Sequence, residues 1–438
     1  MMVRPHTPST ALCLTLPFFF FIIATLTHAT SFQQSEATEA KNTIPVTRTV
    51  SEGGQVVSNN FRALVDWMRS NGGRVDDRLA IGIDQEGGRG LMATEDIRAG
   101  SELFFTPWSL VIGTIGDTHQ TNSDHCATLN DYSDQVRAGK DSFWYPYLSM
   151  DKSLDTRIPT LWQETAMKEL QGLLPDASQT SITKWYSESC CRGIPFDDLD
   201  AASKQALIAA ITRSAGMRFV PVFDLMNHDH GKMNVRSEAT LEGNIVYAAV
   251  DIPKGDAIYT SYRSGNGASS EIFRRYGFIE SNPQQWMWTD TNTHRLEWFL
   301  RLSTDVIILR PSEFMTSQMG VANPPLSDIS ATAKYQYQYN LTREELITFA
   351  ESAKKLLQSL PTTIEQDFKI LRELTAKEAS SSSSSSGSNE AFLDTLLQDT
   401  TSAVGFRIAF KEAVQQALDT ALATLAIVMK ESTRRTDL

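Results

Sequence analysis

Cysteine is scarce in this 438-residue chain: Cys13 sits in an apolar N-terminal segment, and only Cys126, Cys190 and Cys191 follow it. Three are too few for a disulfide framework, and adjacent cysteines rarely bridge each other, so the fold is expected to stand on its apolar core. Positive charge is also in short supply. With 40 Lys and Arg against 52 Asp and Glu, the formal net charge is -12, which argues against nonspecific attraction to nucleic-acid phosphates. No apolar run reaches the roughly 20 residues that span a bilayer. The longest, from about Ala11 to Leu26, follows a basic Arg4 and precedes small residues near Ala29.

That layout reads as a secretory signal peptide over residues 1–30 rather than a retained anchor. Once the leader is removed, no stable membrane insertion is expected. "HATSF" and the polar, acid-poor stretch after it also look like the junction of a bipartite presequence that enters a plastid. The destination stays open between the secretory pathway and a plastid.

The length suits about two domains. Residues 31–58 are polar and aperiodic and read as a disordered linker, with order beginning near Phe61. In "NNFRALVDWMRSNGG", Phe61, Leu64, Val65 and Met68 fall at helical spacing before a Gly-Gly stop. Two β-rich stretches follow, "LAIGIDQEGGRGLMATEDIRAGSELFFTP" and, far downstream, "NIVYAAVDIPKGDAIYTSY". They share a pattern: Asp96-Ile97-Arg98-Ala99-Gly100 matches Asp251-Ile252-Pro253-Lys254-Gly255. Between them, about 115–217 reads as a helical insertion, including "IPTLWQETAMKELQGLL" and "DLDAASKQALIAAITRSAG". From 291 to 438 long amphipathic runs predict an all-α domain, with a Ser-rich loop over 379–389. The fold class is therefore α+β: a β-rich domain over 59–290 carrying a helical insertion, followed by an all-α domain.

The chemistry-bearing stretches are three. "EGGRGLMA" (86–93) places glycines where backbone amides approach a ligand, but no helix follows, so it is not a dinucleotide or P-loop fingerprint. "FVPVFDLMNHDH" (219–230) drives an apolar run into Asn227, His228, Asp229 and His230. "AIYTSYRSGNGASSEIFRRYGFIESNP" (257–283) ends a strand on Tyr262 and continues to Tyr276-Gly277-Phe278. One carboxylate and two histidines at 228–230 make a poor metal set without a further partner, so no metal is expected.

In this order the blocks resemble the SET-domain methyltransferases, in the branch of the Rubisco large-subunit methyltransferase; "FRIAFKEAV" from Phe406 is similar to part of that branch's C-terminal helical domain. The resemblance implies S-adenosyl-L-methionine as cofactor and Tyr262 as the catalytic residue. It implies cofactor contacts from Glu86, Gly88, Arg89, Gly90, Leu91, Arg213, Asn227, His228, Tyr262 and Phe278. It also implies a substrate channel lined by Phe223, Asp224 and Tyr276, and a helical domain that docks the substrate. The activity implied is protein-lysine N-methylation of a non-histone protein, the Rubisco large subunit being the partner suggested. Alternatives left open are protein-histidine methylation and an inactive SET protein serving as a protein-binding module. No Cys cluster follows Phe278, as this branch would have it. Two departures touch the channel rim: Arg263 after the tyrosine, and Ser269-Ser270 before the last helix of the block.

Overall fold

A computed structural model of the protein describes residues 53–84, 87–113, 122–151, 158–162, 164–170, 173, 179–262, 268–281, 284–289, 296–302, 307–311, 342–381 and 388–436. Every described residue belongs to one compact unit, Arg48–Leu438. The expected leader therefore lies outside the described residues. So do Glu86, Arg263 and most of the expected linker.

The first helix, α1 (Gly53–Ser70), starts inside the stretch expected to be linker. It buries Phe61, Leu64 and Met68, which recur on one face at helical spacing. It stops at Gly72, whose φ of +84° suits a residue without a Cβ. Eleven strands are described: β1 (Arg74–Val75), β2 (Leu79–Ile83), β3 (Arg89–Ala93), β4 (Glu102–Pro107), β5 (Asn227–His228), β6 (Val235–Ala239), β7 (Gly243–Ala248), β8 (Tyr259–Thr260), β9 (Gln284–Thr289), β10 (Leu296–Leu302) and β11 (Ile307–Pro311). The largest sheet has the order β1-β4-β7-β6. Four successive residues of β4 are buried, as befits a strand covered on both faces, whereas β6 at the edge is exposed from Arg236 onward.

The two similar strand-turn-strand units meet each other. Ile97 and Ile252 form an antiparallel bridge, each amide donating to the other's carbonyl at 2.9 and 2.8 Å. Asp96 accepts the Lys254 amide at 2.8 Å, and Asp251 accepts the Ala99 amide at 2.7 Å. Gly100 and Gly255 both turn at positive φ. The repeat is thus a local two-fold, each aspartate capping the other unit's turn.

The insertion is helical: α2 (Asn122–Ala138), α3 (Tyr145–Leu148), α4 (Glu164–Lys168), α5 (Gln179–Cys190) and α6 (Ala201–Thr212). Asp200 caps α6 by accepting the Ser203 amide. A continuous core joins Phe104, Ile112, Tyr132, Tyr186, Leu207 and Phe219, so insertion and sheet share one interior. The cysteine expectation needs correcting here. Cys126 on α2 is disulfide-bonded to Cys190 on α5, with Cα atoms 5.0 Å apart, and Cys191 is the free thiol. The vicinal pair does not bridge, but one cross-link adds to the apolar core.

Beyond α7 (Ser269–Tyr276) the expected all-α stretch from 291 opens instead on strands, since β9, β10 and β11 form an antiparallel sheet. The reason is legible in hindsight: Leu296, Trp298, Leu300 and Leu302 alternate, and alternation has the period of a strand. The helices follow as α8 (Arg343–Ser359), α9 (Ile364–Ser381) and α10 (Ser388–Thr436). Thr342 and Glu345 close a reciprocal capping box on α8. The serine run is shorter as a connection than expected, because α9 continues through Ser381 and α10 resumes at Ser388.

These helices have a second core of their own. It also takes in Ala166 of α4, Phe273 of α7, Trp286 of β9 and Leu300 of β10. Phe406 stacks on Phe273 with centroids 4.2 Å apart, and Arg407 reaches Glu169 of the insertion. Inside the helical layer, buried Asp367 receives Lys411 at 2.5 Å and Arg407 at 2.6 Å. The segment "FRIAFKEAV" is therefore where the helices grip the preceding domain.

The disulfide spans 64 residues of sequence, so chain entropy alone assigns it about 4 kcal/mol. Cys126→Ser is expected to lower the free energy of unfolding by about 2 to 4 kcal/mol. Guanidinium titration of both chains in oxidising and reducing buffer checks this. An unchanged midpoint in oxidising buffer would contradict the cross-link.

Candidate active site

The glycine turn joins β2 to β3. Gly88 donates its amide to Asp84 Oδ1 at 2.7 Å, and Gly87 turns at φ +83°. Asn227 of β5 crosses this turn and donates Nδ2 to Asp84 Oδ2 at 2.9 Å. The approach is close enough to require glycine. A Cβ on Gly90 would lie 2.6 Å from Asn227 Nδ2, and one on Gly88 would lie 2.9 Å from the same atom. Arg89 donates to the Met150 carbonyl at 2.9 Å. Leu91 is fully buried, with its carbonyl accepting the Ile258 amide; its side chain belongs to the core.

Asn227 and His228 pair in parallel with Tyr259 and Thr260 of β8. The chain enters this segment through Val222, a buried β-branched residue at φ +69°, a conformation that costs on the order of 1 to 3 kcal/mol. A 3-10 turn, Phe223–Leu225, follows. His228 is buried and bonded at both ring nitrogens: Nδ1 accepts the Tyr262 amide at 2.9 Å, and Nε2 lies 2.7 Å from Glu280 Oε1. A backbone amide can only donate, so the ring proton sits on Nε2 and points to Glu280. The Tyr262 hydroxyl donates to the Met226 carbonyl at 2.6 Å. Tyr262 is thus fixed at its amide and at its hydroxyl by neighbouring residues of one segment.

Asp229 and His230 go separate ways. Asp229 Oδ1 accepts the Gly231 and Lys232 amides, and its Oδ2 pairs with Lys232 Nζ at 2.9 Å. His230 Nδ1 lies 3.3 Å from Ser261 Oγ.

Aromatic rings surround the tyrosine. The Tyr276 centroid lies 4.7 Å from Tyr262, His228 lies 5.2 Å from it, and Phe278 lies 5.9 Å from His228. Phe278 keeps 36% of its surface exposed, so this cluster has an open aromatic edge. Burial pushes the Tyr262 phenol well above its usual range, so it stays protonated at neutral pH. It can serve as a hydrogen-bonding and positioning group, not as a base. Ser269, one of the two serines that depart from the pattern, is buried and accepts the Gln285 amide at 3.0 Å.

Arg213 lies at the C-terminal end of α6 and is committed to two acids. Its Nε is 2.9 Å from Asp151 Oδ1 and its Nη1 is 3.6 Å from Asp224 Oδ2. Tyr147 donates to Asp224 Oδ2 at 2.7 Å, while Tyr132 and Gln205 donate to Asp151. The guanidinium expected to hold a cofactor carboxylate therefore has carboxylate partners within the protein. Asp224 itself has a side chain only 1% exposed, and its Oδ1 is buried without a hydrogen-bond partner. Burial pushes the Asp224 carboxyl up to about 6, against the opposing pull of Arg213 and Tyr147.

Residues 88–263 match the SET domain family, which covers the glycine turn, the Asn-His segment and Tyr262. The chain carries a SET domain. Among curated proteins, an uncharacterized protein of Schizosaccharomyces pombe is 23% identical over 269 residues, covering 52% of this chain and 56% of that protein. The chloroplastic [fructose-bisphosphate aldolase]-lysine N-methyltransferase of Arabidopsis thaliana is 22% identical over 277 residues, 56% of this chain and 57% of that one. These matches span little more than half the length of the relatives. Of solved structures, Rubisco LSMT bound to AdoMet aligns over 84% of this chain and 92% of its own with 16% identity and a TM-score of 0.49.

Four parts of the SET-domain site had escaped the sequence. Asp84 carried a usable signal, since an aspartate before a Gly-Gly turn is a common side-chain cap of such turns. Glu280 and Asp151 carried none, because each is brought in by a different segment of the fold. The Met226 carbonyl is backbone and has no signature in side-chain identity.

The raised Asp224 carboxyl has a consequence for stability. The folded state holds this proton more tightly than the unfolded chain, whose carboxyl titrates near 3.8. Its contribution is therefore full below that range and is lost as pH rises through about 6. Relative to wild type, Asp224→Asn is expected to gain stability between pH 4 and pH 7, on the order of 3 kcal/mol. Urea midpoints across that range check it, and parallel pH curves for the two chains would refute it.

Proposed function

We propose that the protein is an S-adenosylmethionine-dependent protein methyltransferase acting on a lysine side chain of a non-histone protein, with Tyr262 as the catalytic residue. The observation that carries this reading is the double fixation of Tyr262: amide to His228 Nδ1 and hydroxyl to the Met226 carbonyl. A strand-end tyrosine with only a packing role has no need of both.

The residues fit the cofactor on two counts. The side-chain-free backbone at Gly88 and Gly90 lets Asn227 lie flush against the turn, and that side-chain amide would hold the amino acid portion of the cofactor. The open aromatic edge of Tyr262, Tyr276 and Phe278 suits a sulfonium cation, which is drawn to ring faces and oxygen atoms. Gly88, Gly90, Asn227, Tyr262 and Phe278 would hold the group, with Arg89 and Leu91 shaping the strand beneath them. When bound, S-adenosylmethionine supplies an activated methyl group for in-line transfer to nitrogen.

The protein's own part is positioning and desolvation. A lysine amine, with an ordinary pKa of about 10.4, must lose a proton before it can attack, which costs roughly 4 kcal/mol near neutral pH. Apolar walls around Tyr262 and Tyr276 disfavour the charged ammonium and so reduce that cost. The Tyr262 oxygen donates its proton to the Met226 carbonyl, so its lone pairs would be what an incoming methyl group or amine meets. Phe223 and Asp224 lie on the turn just before that carbonyl and would line the acceptor side. The helices α8 to α10 offer the surface for a protein substrate. A plastid protein such as the Rubisco large subunit is the target class, a reading supported by the chloroplastic Arabidopsis relative named for aldolase.

Incubation of the full chain with methyl-labelled cofactor and a plastid-containing cell extract tests this. Label is expected on a discrete protein band, as methyllysine after hydrolysis. Tyr262→Phe should lower the transfer rate about 100-fold. Cofactor binding without any label in wild type would favour a protein-binding module, and label on histidine would move the acceptor class.

A further inference from the structure

Among the buried acids of the described residues, Glu280 is one that methyl transfer does not itself employ and that touches the Asn-His segment. Glu280 has a side chain 3% exposed, against a His228 side chain 2% exposed, with Oε1 2.7 Å from Nε2. We propose that Glu280 is a positioning residue of this enzyme: by holding the His228 ring in its Nε2-protonated form, it keeps Nδ1 available for the Tyr262 amide. The proposal rests on reading Tyr262 as the catalytic tyrosine.

The chain of contacts is complete and each link has one direction. Glu280 accepts from His228 Nε2, and His228 Nδ1 accepts from the Tyr262 amide at 2.9 Å. The Tyr262 hydroxyl then donates to the carbonyl of Met226, two residues before His228. A neutral imidazole has one donor and one acceptor nitrogen, so the partner of Nε2 decides what Nδ1 can do. Without an acceptor at Nε2, the proton has reason to move to Nδ1, where it faces another donor. The ring must then turn, and Tyr262 loses the anchor at its backbone amide, one of its two. A carboxylate at this place fixes the tautomer more firmly than a neutral acceptor, since hydrogen bonds to charged groups are the stronger ones. Ser281, the next residue, reaches Asp229 Oδ2 at 3.4 Å, so the same short stretch ties down both 228 and 229. Gln284 in turn donates to the Glu280 carbonyl at 2.7 Å, which holds the acid's own backbone.

The test uses the full chain with Glu280→Ala, Glu280→Gln and Tyr262→Phe. Three quantities are read: kcat and KM for transfer of labelled methyl, calorimetric binding of S-adenosylhomocysteine, and nitrogen shifts of the His228 ring in chain labelled at histidine with 15N. In wild type the ring should show the Nε2-protonated tautomer. Glu280→Ala should lower kcat about 100-fold while KM and product affinity change by less than about threefold. Glu280→Gln, whose amide oxygen can still accept, should recover most of the rate and keep the tautomer. Wild-type kcat in Glu280→Ala, or a His228 ring protonated on Nδ1 in wild type, would overturn the proposal, and the second result stands even where the alanine variant does not fold. Full activity in Tyr262→Phe would instead defeat the catalytic reading of that residue, and the tautomer measurement would still report whether Glu280 sets the His228 ring.

Discussion

A stretch of chain can carry polar side chains into a protein interior only where each finds a partner, since an orphaned buried group costs about 1 to 3 kcal/mol. Residues 226–229 meet that condition with partners drawn from three separate parts of the chain. Asn227 takes Asp84 from the β2–β3 turn, the Met226 carbonyl and His228 Nδ1 take Tyr262, and His228 Nε2 takes Glu280. Asp229 is satisfied nearby, by Gly231 and Lys232. Hydrogen bonds that would otherwise be merely local thus become the fastening of the site, and each fixes the direction of a group as well as its place.

The consequence is a division of labour between apolar and polar interior. The two hydrophobic cores hold the elements together but leave side-chain orientation loose to within packing tolerance. The polar knot then sets orientation around Tyr262, where hydrogen bonds rather than packing fix the direction of each group. The cluster of Arg213, Asp151 and Asp224 does a related thing at the Phe223–Leu225 turn, with two acids around one guanidinium in a buried setting. Burial is what raises the Asp224 carboxyl, with Asp151 adding to it and Arg213 opposing it, and the cluster places a titrating group two residues from the carbonyl that holds Tyr262.

Coupling between the SET domain and the helices has a similar economy. Phe273, on the helix that follows the tyrosine loop, stacks on Phe406, and Trp286 packs on Phe406 and Phe410. Arg407 reaches back to Glu169 in the insertion. One turn of α10 therefore touches the segment after the site and the helical insertion before it. A protein bound to the helices would bear on the same α7 that leads to Tyr276 and Phe278.

Much of this was present in the amino-acid order. Helical spacing of Phe61, Leu64 and Met68, the matched Asp-Ile-x-x-Gly units, the capped insertion helix and the ordered motif blocks all depend on local periodicity and turn chemistry, which neighbouring residues settle among themselves. The strand β10 and the early start of α1 were also written locally, in alternation and in helix length, though the longer helical runs downstream outweighed the first. Other features had no local sign. The pairing of the two repeats, the Cys126–Cys190 bond, the commitment of Arg213 to internal acids and the Glu280–His228 contact were decided only by tertiary structure. Their partners lie tens to hundreds of residues apart, and hydrogen bonds or disulfides at such separations depend on direction and distance in space, which side-chain identity along a chain does not encode.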